Sequence, residues 1–374
     1  MKLPIASCCS FILFLFSFTS TAQFNIQGRI LNGETDQPIQ GASIYFNGTS
    51  IGTSSAADGR FIIYAAVLNT ELVISCVGYE TVVYKPDAAV AAGKTLVFKM
   101  KVKEQQLGEV LVVPDAVRKR WLSIFKTNFL GQTEEASKSS IANLKDIYFM
   151  KGGGRNSFKA YCDTSLVITN KMLGYKISFD LVEFSINEEE HSTYFYGYTR
   201  YEEMGDKKKW LRNRRNTYYG STMHFYRSLI AGNLDSQGYK IYLLKPVKMK
   251  PDTGSQNVIR VNSGNGNKMT MALAVQPGKI FKTDSVSTDY ILSLSTQLMI
   301  QYSKEPASKK YIKDHINFIQ GYLPTGFQAF ITLGKPSIKI YKEGIVDDPA
   351  AIFYGGYWMY EKAANLLPLN YSPD

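Results

Sequence analysis

The sequence predicts a mainly β protein, with an N-terminal β-sandwich followed by a larger β-rich domain carrying a few short helices. Three observations point there. Apolar residues alternate at period two over short runs, the pattern of strands with one buried face. Turn-forming Asp, Asn, Gly and Pro separate these runs at roughly 8–12 residue intervals, the rhythm of sandwiches. The 25 Tyr and 21 Phe favour pleated over helical packing. At 45% hydrophobic and 13% aromatic, the chain can bury a sizeable core and is not disordered.

Residues 1–22 have the plan of a secretory signal peptide. Lys2 supplies the positive start, Phe11-Ile12-Leu13-Phe14-Leu15-Phe16 the apolar core, and Ser20-Thr21-Ala22 the small residues before a cut at Gln23. A membrane-spanning helix needs about 20 apolar residues, and this run is shorter. Ile5-Ala6-Ser7-Cys8 has the look of a lipid-attachment site but precedes the apolar core instead of following it. Export is therefore expected, to the periplasm or in association with the outer membrane. No transmembrane helix is expected after cleavage.

Four Cys are present, and Cys8 and Cys9 leave with the leader. Cys76 and Cys162 remain, either as buried thiols acting as small apolar residues or as a bridge between domains, which an oxidising compartment permits. The net charge of +11 raises nucleic acid as a partner, but export argues against it. Acidic glycan, lipid phosphate or outer-membrane proteins suit a basic envelope protein better.

The expected organisation is a sandwich over 23–103, a linker with an amphipathic helix over 104–131, and a β-rich domain over 132–374. Strands are expected at Phe24–Ile30, Ala42–Phe46, Phe61–Tyr64, Leu72–Cys76 and Thr95–Val102. Asp115 is expected as a helix N-cap. Val117, Trp121, Ile124, Phe125 and Phe129 repeat at helical spacing up to Gly131, so this helix is expected to pack at the junction between domains. Beyond it, Tyr175–Leu181, Lys240–Leu243 and Ser337–Tyr341 alternate as strands. Short helices are expected from the Ser221 cap to Gly232 and from Trp358 to Leu367, ahead of Pro368.

Five segments in order carry a resemblance: Gly28-Arg29-Ile30, Pro38–Ile44, Gly48–Thr53, Asp58-Gly59-Arg60-Phe61 and Val77-Gly78-Tyr79-Glu80. Together they resemble the carboxypeptidase-regulatory-like domain, which is transthyretin-like. The resemblance implies a seven-stranded prealbumin-like sandwich of the kind found at the front of Gram-negative envelope proteins, outer-membrane receptors among them. It implies no peptidase. The family often carries an acidic residue two places before the turn Asp, where this chain has Ala56, so no ion is expected there. Asn128–Gly131, Leu173–Tyr175, Ser221–Leu229 and Gly356–Lys362 resemble segments of uncharacterised envelope proteins carrying the same front domain, which have no settled activity.

No catalytic residue, cofactor or metal site is expected. Gly48-Thr49-Ser50-Ile51-Gly52 fits the G-x-S-x-G pattern, but a nucleophile elbow needs a strand, a sharp turn and then a helix, and more β sequence follows here. Of His191, His224 and His315, none begins a zinc-peptidase pattern. Glu188-Glu189-Glu190-His191 reads as a solvated loop, because neighbouring strand side chains point to opposite faces. His224 falls on the apolar side of a short helix and reads as a hydrogen-bonded packing residue. Lys151-Gly152-Gly153-Gly154-Arg155 lacks the Lys-Ser/Thr of a P-loop and reads as a turn.

The most unusual local feature is Lys207, Lys208, Lys209, Trp210, Arg212, Arg214 and Arg215. It has two readings: a site for acidic glycan or lipid phosphate, or a solvated hairpin edge. The expected role is non-enzymatic binding or envelope assembly. An envelope hydrolase acting on glycan or peptide would instead show carboxylates or His with displaced titration in a deep pocket, and a carbohydrate-binding module an exposed row of aromatics on one sheet.

Overall fold

The computed structural model describes residues 24–65, 70–86, 94–103, 113–154, 157–187, 192–247, 258–262, 269–284, 289–315 and 326–373. The leader, Arg155 and the Glu188–His191 cluster lie outside them. Strands β1 (Phe24–Asn32), β2 (Ser43–Phe46), β3 (Gly52–Ser54), β4 (Arg60–Ala65), β5 (Leu72–Ser75), β6 (Val82–Tyr84) and β7 (Leu96–Met100) form the sandwich. One sheet has the order β4-β1-β7 and the other β3-β2-β5-β6. The alternating Ile26, Ile30, Ile44, Phe61, Ile63, Ile74, Phe98 and Met100 point between them and close one core. At the Asp58-Gly59 turn, the Arg60 N–H donates to Asp58 Oδ1 at 3.1 Å, and Arg29 Nε donates to the Asp58 carbonyl at 2.8 Å. The turn is closed by the chain's own donors.

Helix α1 (Asp115–Leu130) stops at Gly131, whose φ of 96° suits glycine. Helix α2 (Glu134–Ser137) and strands β8 (Ser139–Ile141), β9 (Ile147–Lys151), β10 (Ser157–Cys162), β11 (Leu166–Asn170), β12 (Tyr175–Asn187) and β13 (Ser192–Glu203) follow. The strands form an antiparallel sheet ordered β8-β11-β12-β10-β9, with β13 along β12. Contrary to the junction expected from sequence, α1 packs into this sheet's own core. Trp121 stacks on Phe158 at 4.9 Å, and Phe129 meets Phe179 and Phe195 edge-on at 5.0 and 5.2 Å. Phe125 and Phe129 are fully buried, covered by Phe179 and Phe184 of β12 and Phe195 of β13.

Helices α3 (Lys208–Tyr218) and α4 (Thr222–Ile230) lead to the last region. There β14 (Tyr239–Val247), β15 (Val258–Asn262), β16 (Met269–Ala274), β17 (Phe281–Thr283), β18 (Tyr290–Ser293), β19 (Leu298–Tyr302), helix α5 (Lys309–His315), β20 (Phe327–Leu333), β21 (Ser337–Tyr341), β22 (Ile345–Val346) and β23 (Ile352–Gly356) make two sheets. Their orders are β15-β16-β14-β19-β20-β23 and β17-β18-β21-β22. Residues 132–374 thus hold two large cores, one under β8–β13 and one under β14–β23. Cys162 sits in the first, and Cys76 packs against the sandwich core. Both are free thiols, so the unbridged alternative describes them.

The helix expected over Trp358–Leu367 is broken. Helix α6 (Tyr357–Tyr360) ends at Glu361, which is extended, and a single 3-10 turn forms at Ala363–Asn365. The break has a polar cause. Asn170 Nδ2 donates to the Ala364 carbonyl at 2.9 Å, Thr133 Oγ1 donates to Asn365 Oδ1 at 2.8 Å, and Asn365 Nδ2 donates to Glu135 Oε2 at 3.1 Å. A continuous helix would carry these groups away from their partners. The segment instead leaves the last core at Trp358 and enters the middle one at Ala363, Ala364 and Leu367. It then reaches the sandwich, where the Leu369 N–H donates to the Gly48 carbonyl at 2.7 Å.

Candidate functional site

The G-x-S-x-G segment lies in the β2–β3 connection, followed by β3 rather than a helix, and it serves as a clasp between domains. The Ser50 N–H donates to Asn370 Oδ1 at 3.1 Å and Asn370 Nδ2 donates to Ser50 Oγ at 2.8 Å. Gly48 and Thr49 dock on one end of β13: Gly48 N–H to the Thr199 carbonyl at 2.7 Å, and Tyr201 N–H to the Thr49 carbonyl at 2.9 Å. Asn47 Oδ1 accepts the Thr199 N–H at 3.0 Å. Beneath the clasp, Tyr45 Oη donates to Asp180 Oδ2 at 2.6 Å, and Ser165 holds the other oxygen.

Beside this clasp the three bodies enclose a cleft of about 1190 Å³. The sandwich contributes Asn47, Glu71 and Lys85. The middle sheet contributes the β9–β10 turn and the unclasped length of β13, and the last region β22, β23 and the segment from Trp358 to Leu369. Its walls are largely apolar. Phe353, Met359 and Leu366 line it at 58%, 53% and 45% exposure, which is unusual for large apolar side chains grouped together. The charged residues lining it balance: Lys85, Lys159 and Lys362 against Glu71, Asp347 and Glu361. Burial and the nearby charge of Glu135 push the Glu361 carboxyl up to about 8, so it holds its proton near neutrality. Burial lowers the Lys362 ammonium below its ordinary value.

The Gly152–Gly154 turn is on the cleft wall, but its donors are used locally. Gly152 N–H donates to the Ser157 carbonyl at 2.8 Å, and Gly154 N–H donates to Ser157 Oγ at 2.6 Å. Tyr194, Tyr196 and Tyr198 alternate along β13 but are half-buried, so they are no exposed platform. His224 is buried in the last core. Its Nδ1 accepts the Gly220 N–H at 3.1 Å, which leaves Nε2 to donate to Gln237 Oε1 at 3.1 Å. Burial lowers its pKa to about 4. His224 is the neutral packing residue expected from sequence.

The basic segment is the start and body of α3, not a hairpin edge. Lys207, Lys208, Lys209, Arg212 and Arg215 are exposed, whereas Arg214 is only 2% exposed. Arg214 donates to the Leu173 carbonyl at 2.8 Å, the Gly174 carbonyl at 3.1 Å and Glu203 at 2.9 Å, and lies 4.0 Å over the Tyr175 ring. Trp210 Nε1 donates to the Lys171 carbonyl at 3.0 Å. Arg214 and Trp210 therefore spend their donors within the fold, and none of the seven residues lines the cleft. The expected binding residues are split by the helical period, which turns 210 and 214 inward and 208, 212 and 215 outward. Among the described residues, no group of three His, Cys, Asp or Glu could hold a metal ion, and no helix is long and apolar enough to cross a membrane.

Residues 26–112 match the family described as the CarboxypepD_reg-like domain. The sandwich is such a domain. A TonB-dependent receptor of Formosa agariphila is 30% identical to this chain over 129 residues, 32% of the chain. The matched stretch spans 12% of that receptor's length. A 9R-lipoxygenase from Cyanothece PCC8801 aligns over 55% of this chain and 48% of its own at 12% identity, with a TM-score of 0.18, too low to carry any argument. The domain and the receptor likeness fit an envelope context.

Proposed function

We propose that this is an exported protein, periplasmic or associated with the outer membrane, that works by binding rather than catalysis and takes its ligand in the three-walled cleft. One observation carries the reading: exposed Phe353, Met359 and Leu366 are gathered inside a cavity, where nothing but a ligand would cover them. A photo-crosslinking residue at Met359, expressed in envelope-intact cells, is expected to capture an adduct. The same residue at exposed Leu211 on α3 is expected to capture none. Capture at Leu211 alone would favour acidic ligands on the basic face and overturn the cleft.

A hydrolytic reading draws on Glu361, a proton donor near neutrality in a deep cleft. Its neighbour Glu135 is held by Asn365 and is not among the lining residues. Glycoside hydrolysis needs two carboxylates across the scissile bond, so binding is the better-supported role.

A further inference from the structure

The floor of the cleft is the edge of a strand. β13 pairs with β12 along its full length, Ser192 opposite Asn187 and Glu203 opposite Tyr175. Successive residues of an antiparallel edge strand point their backbone groups alternately to the partner and away from it. The clasp reveals which residues point away: Thr199 gives its N–H to Asn47 and its carbonyl to Gly48, and Tyr201 gives its N–H to Thr49. β13 advances one residue per pair through this stretch, the irregularity falling on β12 between Leu181 and Glu183. The outward set therefore continues through Gly197, Phe195 and Thr193, all of which line the cleft. Among the described residues, none of their outward N–H or C=O groups has a protein partner. Open edges of this kind are normally blunted by Lys, Pro or a bulge; here the open stretch lies along the cleft.

We infer that the cleft binds an extended polypeptide segment of another protein by strand addition to β13, continuing the pairing that Gly48 and Thr49 begin. This rests on the cleft being the binding site and names the chemical class of the ligand. Three arguments select a polypeptide. A row of alternating N–H and C=O groups is complementary to another peptide backbone. The same edge already holds backbone, as the Thr49–Arg200 parallel bridge. The largely apolar wall, with Phe353, Met359 and Leu366 exposed in it, favours apolar side chains at every second position of the guest over an acidic glycan or lipid phosphate.

The test uses the whole protein and a random library of peptides about ten residues long, enough to cover the open edge at ~3.3 Å per residue. The most enriched peptide is synthesised plain and with alternate backbone amides N-methylated, which removes donors but keeps the side chains. Fluorescence anisotropy is expected to give at least about tenfold weaker binding on methylation in one of the two registers, as loss of ~1.4 kcal/mol or more implies. Thr193→Pro removes an outward N–H that β12 does not use, and is expected to weaken the plain peptide similarly. Phe353→Glu, at an exposed position, is a second variant should Thr193→Pro misfold. Equal binding of plain and methylated peptides in both registers would overturn strand addition, as would the absence of any enriched peptide. If Met359 still captured an adduct in cells, the cleft would stand as a binding site for some other ligand.

Discussion

The sandwich and the region beyond it close their cores in different ways. Six of the seven strands of the sandwich, all but β3, contribute to one core from within a short stretch of chain. Beyond it, two cores share residues 218–229 and 357–370 and are held by polar contacts between residues far apart in sequence, such as Thr133 with Asn365 and Trp358 with the Gly220 carbonyl. Apolar alternation is enough to specify the first. The second depends on particular buried polar groups, so it concentrates its sensitivity in few positions.

Arg214→Ala should expose that contrast most strongly. It strips a donor from the Leu173 and Gly174 carbonyls and leaves a void over Tyr175, while the half-exposed Glu203 returns to water. An unsatisfied buried acceptor with the lost packing should cost about 2–4 kcal/mol. Chemical denaturation should show that loss, while amide protection in β1–β7 stays unchanged. The double reversal Arg212→Glu with Arg215→Glu, on the outer face of the same helix, should stay within about 0.5 kcal/mol of wild type.

Gly174→Ala should cost about 2–3 kcal/mol. Its φ is +70° and an added Cβ would meet the Trp210 ring at 2.2 Å, so backbone strain and overpacking combine. Thermal melting would read this, with fluorescence of Trp210 reporting the local shift.

Titration sharpens the comparison next. Glu361 holds its proton to about pH 8 when folded, against an ordinary glutamate value when unfolded. The folded state binds more protons between these values, so its contribution to stability is full below the unfolded value and is lost as pH rises to about 8. Glu361→Gln should therefore gain on wild type across that window by up to ~1.4 kcal/mol per pH unit, less where cleft water screens the charge. His224 has the opposite sign: folded near 4 and higher when unfolded, it costs stability as pH falls below its unfolded value. Urea melts at pH 5 and pH 8 on both forms would reveal the first trend, and an unchanged gap would refute it.

The smallest effect belongs to the sandwich. Asp58→Ala removes an acceptor for the Arg60 N–H and an exposed ion pair, worth about 0.5–1 kcal/mol. Only the protection of β1 and β4 should move.

Legibility followed the same division. Five strands of the sandwich, the Gly131 stop, the Ser221 cap and the packing role of His224 could be read from residues close in sequence, whereas the three-residue β3 and β6 are too short to show a period. The fold contacts of Trp210 and Arg214 were not legible, because charge counts do not tell which side of a helix faces a groove. The helix expected over Trp358–Leu367 has good local signals, and it breaks for Asn170 and Thr133, some two hundred residues away. Cleft and open edge left no motif at all, since their parts come from three bodies.

By itself the sequence determined a mainly β chain, five strands of its front domain, and the helices that end at Gly131 and start at the Ser221 cap, because periodicity and turn chemistry act over a few residues. The division of residues 132–374 into two cores, the inward turn of Arg214, the raised carboxyl of Glu361 and the cleft-facing stretch of the β13 edge, without a backbone partner among the described residues, were decided only by the tertiary structure. Each depends on which distant groups meet and on how much water is left between them.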